Sequence, residues 1–207
     1  MTMFTLKEKS LFRGFYTPIE WYEIEEALTL NTALLADIAV RRTQSEGLVR
    51  SNRLGWHSEP DLFQRPEASF KQLCEIIEAC VTKTTSRHFA KPDIAKWKEG
   101  YHGWVNINGK GAYNAPHDHS ECLWSGTYYV SVPKTNFPDS GAIEFMDPRS
   151  VQGQSTGRGN SFLNSKVKFV PDAGSLVVFP SYLLHWVYPN EADVERVSIA
   201  FNMKLMK

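Results

Sequence analysis

From residue 96 onward the chain is a succession of short β-prone runs, each ended by Gly, Pro or Asn, and this pattern leaves few folds open. The runs are Trp104–Asn108, Gly126–Val132 before Pro133, Ala142–Phe145, Ser175–Phe179 and Arg196–Met203. Several short strands bounded by turns predict a mainly β barrel or sandwich. The earlier part reads differently. Pro18, Ile19, Trp21, Tyr22, Ile24, Leu28, Leu30, Leu34, Leu35 and Ile38 fall mostly on helical spacings, with Thr17 as a cap before Pro18. A second helix is expected from Glu67 to Arg87, where Phe70, Leu73, Ile76, Ile77 and Cys80 recur at intervals near three and four. With 207 residues, 42% of them hydrophobic, the chain can build one substantial core. The expectation is one domain over residues 1–207, helical to residue 95 and β-rich from 96 to 207. The connection from Pro148 to Lys166, rich in Gly, Ser, Asn and Gln, is long for a compact domain and reads as a lid.

Charge and cysteines narrow the partners and the compartment. Lys plus Arg and Asp plus Glu are 23 each, so no overall field favours nucleic acid or an anionic membrane, and neither is expected as a partner. No run approaches the roughly 18 apolar residues of a membrane helix, and the first residues lack a basic segment followed by an apolar one. Cys74, Cys80 and Cys122 are odd in number and lack Cys-x-x-Cys spacing, which suits free thiols in a reducing cytoplasm.

Three of the six histidines are placed for chemistry: His117 and His119 in Asn-Ala-Pro-His-Asp-His-Ser, and His185 after the run 175–179. In a strand, residues two apart share a face, so His117 and His119 can present imidazoles to one ion while Asp118 points away. His185 from a distant strand completes a facial set and leaves coordination positions open. Imidazole alone does not choose between iron, zinc, copper and nickel. The second element is Arg196 with Ser198, which strand alternation also places on one face. A guanidinium fork with a hydroxyl beside it suits a buried carboxylate. Ten residues separate His185 from Arg196, enough to turn through Pro189-Asn190-Glu191 and return on the next strand. The plainer alternative pairs Arg196 with Asp193 or Glu195 at the surface. His57, His88 and His102 stand isolated and read as surface or packed residues, His57 the best placed of them because Trp56 precedes it. Trp124 and Trp186 flank the ligand segments and are candidate pocket walls, and Arg149 could meet an anionic substrate.

Pro116-His-Asp-His, Ser125-Gly-Thr-Tyr-Tyr-Val, Gly141-Ala-Ile-Glu-Phe-Met-Asp-Pro-Arg, Phe179-Pro-Ser and the His185 to Arg196 spacing together resemble a little-characterised branch of the 2-oxoglutarate/iron(II) dioxygenases. The resemblance runs from about Trp104 to Asn202, with Gly55-Trp-His-Ser also similar. It implies a double-stranded β-helix, or jelly roll, with N-terminal helices packed on it. It further implies an iron(II) cofactor, 2-oxoglutarate as co-substrate, and dioxygen used to hydroxylate a small molecule or peptide side chain with release of succinate and CO2. By position, His117 and His185 match the first and last metal ligands, and Arg196 with Ser198 matches the pair that binds the distal carboxylate. Asn106 and Tyr128 are further candidate co-substrate contacts. The chain departs from the usual pattern at His119, where most of the superfamily carries Asp or Glu. Either His119 is itself a ligand, or a carboxylate such as Glu144 or Asp147 reaches the site from elsewhere. Two other functions fit the same residues: a metal-binding jelly roll without turnover, and a three-histidine iron dioxygenase that does not use 2-oxoglutarate.

Overall fold

The computed structural model describes residues 16–89, 100–148 and 165–204. In chain order the elements are β1 (Glu20–Glu23), α1 (Ala27–Thr43), β2 (Asn52–Arg53), β3 (Trp56–His57), α2 (Ala68–His88), β4 (Tyr101–Asn108), β5 (Tyr113–His117), β6 (Trp124–Ser131), β7 (Ile143–Met146), β8 (Lys166–Phe169), β9 (Ser175–Pro180), β10 (His185–Val187) and β11 (Arg196–Met203). The strands form a six-stranded sheet in the order β1-β9-β6-β11-β4-β3 and a five-stranded sheet in the order β2-β5-β10-β7-β8. Every pairing between these strands is antiparallel. This is the mainly β, jelly-roll architecture expected, with helices against one sheet. No helix among the described residues is long and apolar enough to cross a membrane.

Alternation within the larger sheet sorts side chains into two layers. Leu176 and Val178 of β9, with Val197, Ile199, Phe201 and Met203 of β11, pack against Leu30, Leu34 and Ile38 of α1 and Phe70, Leu73, Ile77 and Val81 of α2. Each such side chain contributes roughly 1.5–3 kcal/mol by leaving water. The opposite face meets the smaller sheet. There Val177 and Phe179 join Tyr129, Ile143, Phe145 and Leu183 in a second cluster. Beside that cluster, residues of even number on β4 and β11 line a polar cavity. The helices thus stiffen one face of the large sheet and leave the other for chemistry.

The first predicted helix is corrected at its start. Residues 20–23 form β1, and α1 begins only after Glu26, whose φ of 54° breaks the chain direction, so Thr17 caps nothing. The physical reason is that the apolar residues serve two sides of an edge strand. Ile19 and Trp21 pack on the inter-sheet cluster, while Tyr22 and Ile24 pack on the helix-side core. β1 pairs with β9 from Glu20↔Val178 to Glu23↔Ser175. The second helix lies one residue from its predicted bounds. Three short strands, β1 to β3, come from the part read as helical, because each borrows its partner from beyond residue 100. The predicted lid between Pro148 and Lys166, with Arg149 in it, falls almost wholly outside the described residues.

Candidate metal centre

β5 ends on His117 and β10 begins on His185, and the two stand opposite each other in the ladder that joins these strands. Their ring centroids are 4.3 Å apart. His119 lies two residues beyond β5, where alternation no longer applies. Its position comes from the turn instead: its backbone N–H donates to the Ser181 carbonyl (2.8 Å), and Asp118 Oδ1 accepts from the Ser120 N–H (3.1 Å). The exposed Asp118 carboxylate is therefore used by the turn, and His119 swings in to 5.0 Å from His117 and 5.6 Å from His185, ring to ring. One nitrogen from each of the three lies within 4.8 Å of the others, a spacing that could hold a metal ion.

Backbone carbonyls select the tautomers of two of the rings. His117 Nδ1 is 2.7 Å from the Ala115 oxygen, and His185 Nδ1 is 2.8 Å from the Leu183 oxygen. A carbonyl only accepts, so each Nδ1 carries the proton and each Nε2 keeps its lone pair, the arrangement that orients a ligating imidazole. Burial then holds all three rings neutral. It lowers the pKa of His117, takes His119 down to about 4 with help from the neighbouring histidines, and takes His185 down to about 3. No proton has to leave these rings at neutral pH before a metal binds.

Arg196 opens into the same cavity from β11 and is 2% exposed. One of its Nη atoms donates to Ser198 Oγ at 3.2 Å, and the guanidinium lies 5.2 Å from the Tyr129 ring centroid. Among the described residues its Nε and second Nη have no hydrogen-bond partner, nor do Asn106 Oδ1 and the Tyr129 hydroxyl. Burial lowers the Arg196 pKa and raises that of Tyr129 to about 12. A desolvated cation with idle donors is costly unless an anion completes it. The surface alternative does not occur, because Glu195 pairs with Arg42 at 2.7 Å and Asp193 with Lys110 at 2.7 Å. Asn106, Ser198 and Tyr129 form one row across β4, β11 and β6.

Other residues singled out in the sequence lie elsewhere. Tyr128 faces the helices and donates to Asn31 Oδ1 at 2.6 Å, so its neighbour Tyr129 takes the cavity position. Trp124 is 3% exposed in the helix-side core, its indole N–H on Thr85 Oγ1 at 3.0 Å. Trp186 points away from the cavity because His185 beside it points in, and Lys166 covers its ring. Glu144 pairs across the ladder with Trp186, shares its outward side and accepts from the Tyr188 hydroxyl at 2.9 Å. Neither Glu144 nor Asp147 joins the histidine cluster.

Trp104, His57 and His102 are drawn together instead. His57 stacks on Trp104 at 5.3 Å, His102 at 6.0 Å, and Trp104 meets His119 edge-on at 5.8 Å. They line a cleft of about 380 Å³ immediately outside the histidine cluster. Trp104 shares the face of Asn106 by simple alternation, a signal present in the sequence. His57 reaches it through the β3–β4 pairing, which sets His57 opposite Asn106 and has no sequence signature.

Residues 102–202 match the family described as "Putative 2OG-Fe(II) oxygenase". No curated protein sequence matches the chain. Among solved structures it is similar to a prolyl-4-hydroxylase from Pseudomonas putida, with a TM-score of 0.64, 17% identity, and 91% of this chain and 93% of that one covered. It is also similar to a prolyl hydroxylase from Trichoplax adhaerens solved with a hypoxia inducible factor peptide fragment (TM-score 0.60, 17% identity, 90% and 83% covered). A third is HygX from Streptomyces hygroscopicus, solved with nickel and 2-oxoglutarate bound (TM-score 0.61, 10% identity, 91% and 83% covered). The family match spans β4 to β11, the stretch that supplies the histidine cluster and the buried arginine. Residues 102–202, just under half of the chain, thus match the 2-oxoglutarate/iron(II) oxygenases, a family named for its iron(II) and 2-oxoglutarate.

Proposed function

We propose that this chain hydroxylates a small molecule or a peptide side chain, with His117, His119 and His185 as its three metal ligands and Arg196 and Ser198 holding the distal carboxylate of 2-oxoglutarate. The observation that carries the reading is the Arg196 guanidinium, buried with two unpartnered nitrogens in the cavity that also holds the histidines. A purely metal-binding module, or a dioxygenase without an acidic co-substrate, has no use for that cation. Asn106 and Tyr129 add polar groups beside it, and Tyr129 replaces Tyr128 in this role. When bound, iron(II) would activate dioxygen, the oxidant, which takes two electrons from 2-oxoglutarate as that is converted to succinate and CO2 and two from the substrate bond that is hydroxylated. The protein's own part is to present three neutral imidazole donors on one side, a carboxylate clamp on the other, and an open cleft past His119. The three free cysteines suit a reducing compartment such as the cytoplasm.

The direct test is anaerobic titration with iron(II) and 2-oxoglutarate, read by the weak visible absorption of the chelate, with calorimetry of 2-oxoglutarate on zinc-loaded protein beside it. Saturable, metal-dependent 2-oxoglutarate binding is the expected result. Metal binding without it would favour the three-histidine dioxygenase.

Gly141 offers an independent check on the clamp. It has a φ of +64°, and a Cβ there would lie 2.7 Å from Arg196 Cδ and 3.0 Å from its Nε. Gly141→Ala therefore strains the backbone by about 1–2 kcal/mol and pushes the guanidinium aside. Thermal denaturation should show a lower midpoint and calorimetry a weaker 2-oxoglutarate affinity, while metal content stays at wild-type level.

A further inference from the structure

We propose that the cleft outside the histidine cluster takes an anionic substrate, an organic carboxylate, with Arg50 as the residue that receives its charge. This rests on the oxygenase reading above and names the substrate class for that site.

The charge inventory points one way. Among the described residues that line the cleft there is no Asp or Glu, and Arg50 is the one formally charged side chain. Its guanidinium forms no ion pair with any described residue. Leu48, Pro60 and Trp104 supply apolar wall, so an apolar body with one charged end matches the cleft. The imidazoles there are neutral acceptors and donors rather than cations. His102 Nε2 faces the Asn202 amide at 3.2 Å, and His57 Nδ1 is held 2.7 Å from the Ser58 carbonyl. Burial lowers the pKa of both rings.

The deeper cavity adds a second argument. Among the described residues its histidine cluster contains no carboxylate, and Arg196 brings one buried positive charge. A divalent metal and a doubly charged co-substrate cancel, which leaves that charge unbalanced in a region of low dielectric. An anion in the adjoining cleft lowers the energy of the whole assembly, whereas a cation raises it and meets no acid among the described residues of the wall. A free carboxylic acid and an acidic residue of a peptide share this chemistry.

The test uses zinc-loaded protein saturated with 2-oxoglutarate, whose binding is established first by calorimetry. Failure at that stage concerns the oxygenase reading and not the cleft. Three probes of nearly equal shape are then titrated: phenylacetate, its neutral amide phenylacetamide, and 2-phenylethylamine. A charge-assisted contact predicts that phenylacetate binds about tenfold more tightly than the amide. The amine should be weakest. Arg50→Ala, at an exposed position, should erase the preference and leave 2-oxoglutarate affinity unchanged. A blocked glutamate peptide against its glutamine counterpart then separates the two sources of carboxylate. Equal affinity for acid and amide, no binding by any probe, or a preference that survives Arg50→Ala overturns the proposal.

Discussion

Arg196→Met is expected to keep its metal and lose its co-substrate. The guanidinium sits in the cavity with Ser198 as its one hydrogen-bond partner among the described residues, so the carboxylate it would receive has no equivalent donor to turn to. Truncating one side of a buried charge pair typically costs about 2–5 kcal/mol. Even the lower value corresponds to roughly a thirtyfold rise in the 2-oxoglutarate concentration needed for succinate formation. Ser198→Ala should do less, about 0.5–1.5 kcal/mol, since it removes one neutral hydrogen bond. A general folding defect would mimic the first result but not its companion. Arg196 in the ligand-free protein is a desolvated cation without an anion, a state that opposes folding. Methionine fills similar space without that penalty, so the ligand-free variant should be at least as stable to denaturant as wild type. Lower stability together with unchanged 2-oxoglutarate affinity would remove Arg196 from the co-substrate site.

The legible parts of this site are those where a single strand carries the information. Arg196 and Ser198 alternate on β11, and the spacing back to His185 leaves just enough chain for a turn, so sequence alone places both. Tyr128 misleads because β6 is buried on both faces, and in such a strand the pattern does not say which parity faces the cavity. Its neighbour across the ladder decides: Tyr129 stands opposite Ser198, and a register shift lies between Val197 and Ser198. The same ambiguity of parity makes Trp186 read as a pocket wall when it is the outward neighbour of an inward histidine. β1 is hidden for another reason. Its apolar residues at 19, 21, 22 and 24 fit helical spacing and a two-sided edge strand equally well, and only the pairing with β9 separates them. The aromatic cleft is least legible, since His57 and His102 are 45 positions apart in sequence and meet only because β3 joins β4.

The histidines should separate into ligands and neighbours when each is replaced. His117→Ala and His185→Ala are expected to abolish stoichiometric metal binding, because each removes an Nε2 donor held in place by a carbonyl on its Nδ1. His57→Gln and His102→Gln should keep nearly full metal after reconstitution, since both rings lie in the outer cleft and outside the ligand cluster. His119 gives the sharper test. Its ring belongs to the cluster, yet it is positioned by a turn anchored on Ser181, and no hydrogen bond fixes its imidazole among the described residues. His119→Ala should therefore lose most of the metal. His119→Asp should retain it and bind iron(II) more tightly than wild type, because a carboxylate there restores the negative charge that three neutral ligands lack. Metal analysis and competition with a chromogenic chelator read both effects. Full metal in His119→Ala would take His119 out of the coordination sphere. The carboxylates do not offer a ready substitute, because Asp118 is held in its turn and Glu144 is engaged by Tyr188 on the far side of β7. A two-histidine site would then be left to draw its remaining ligands from co-substrate and water.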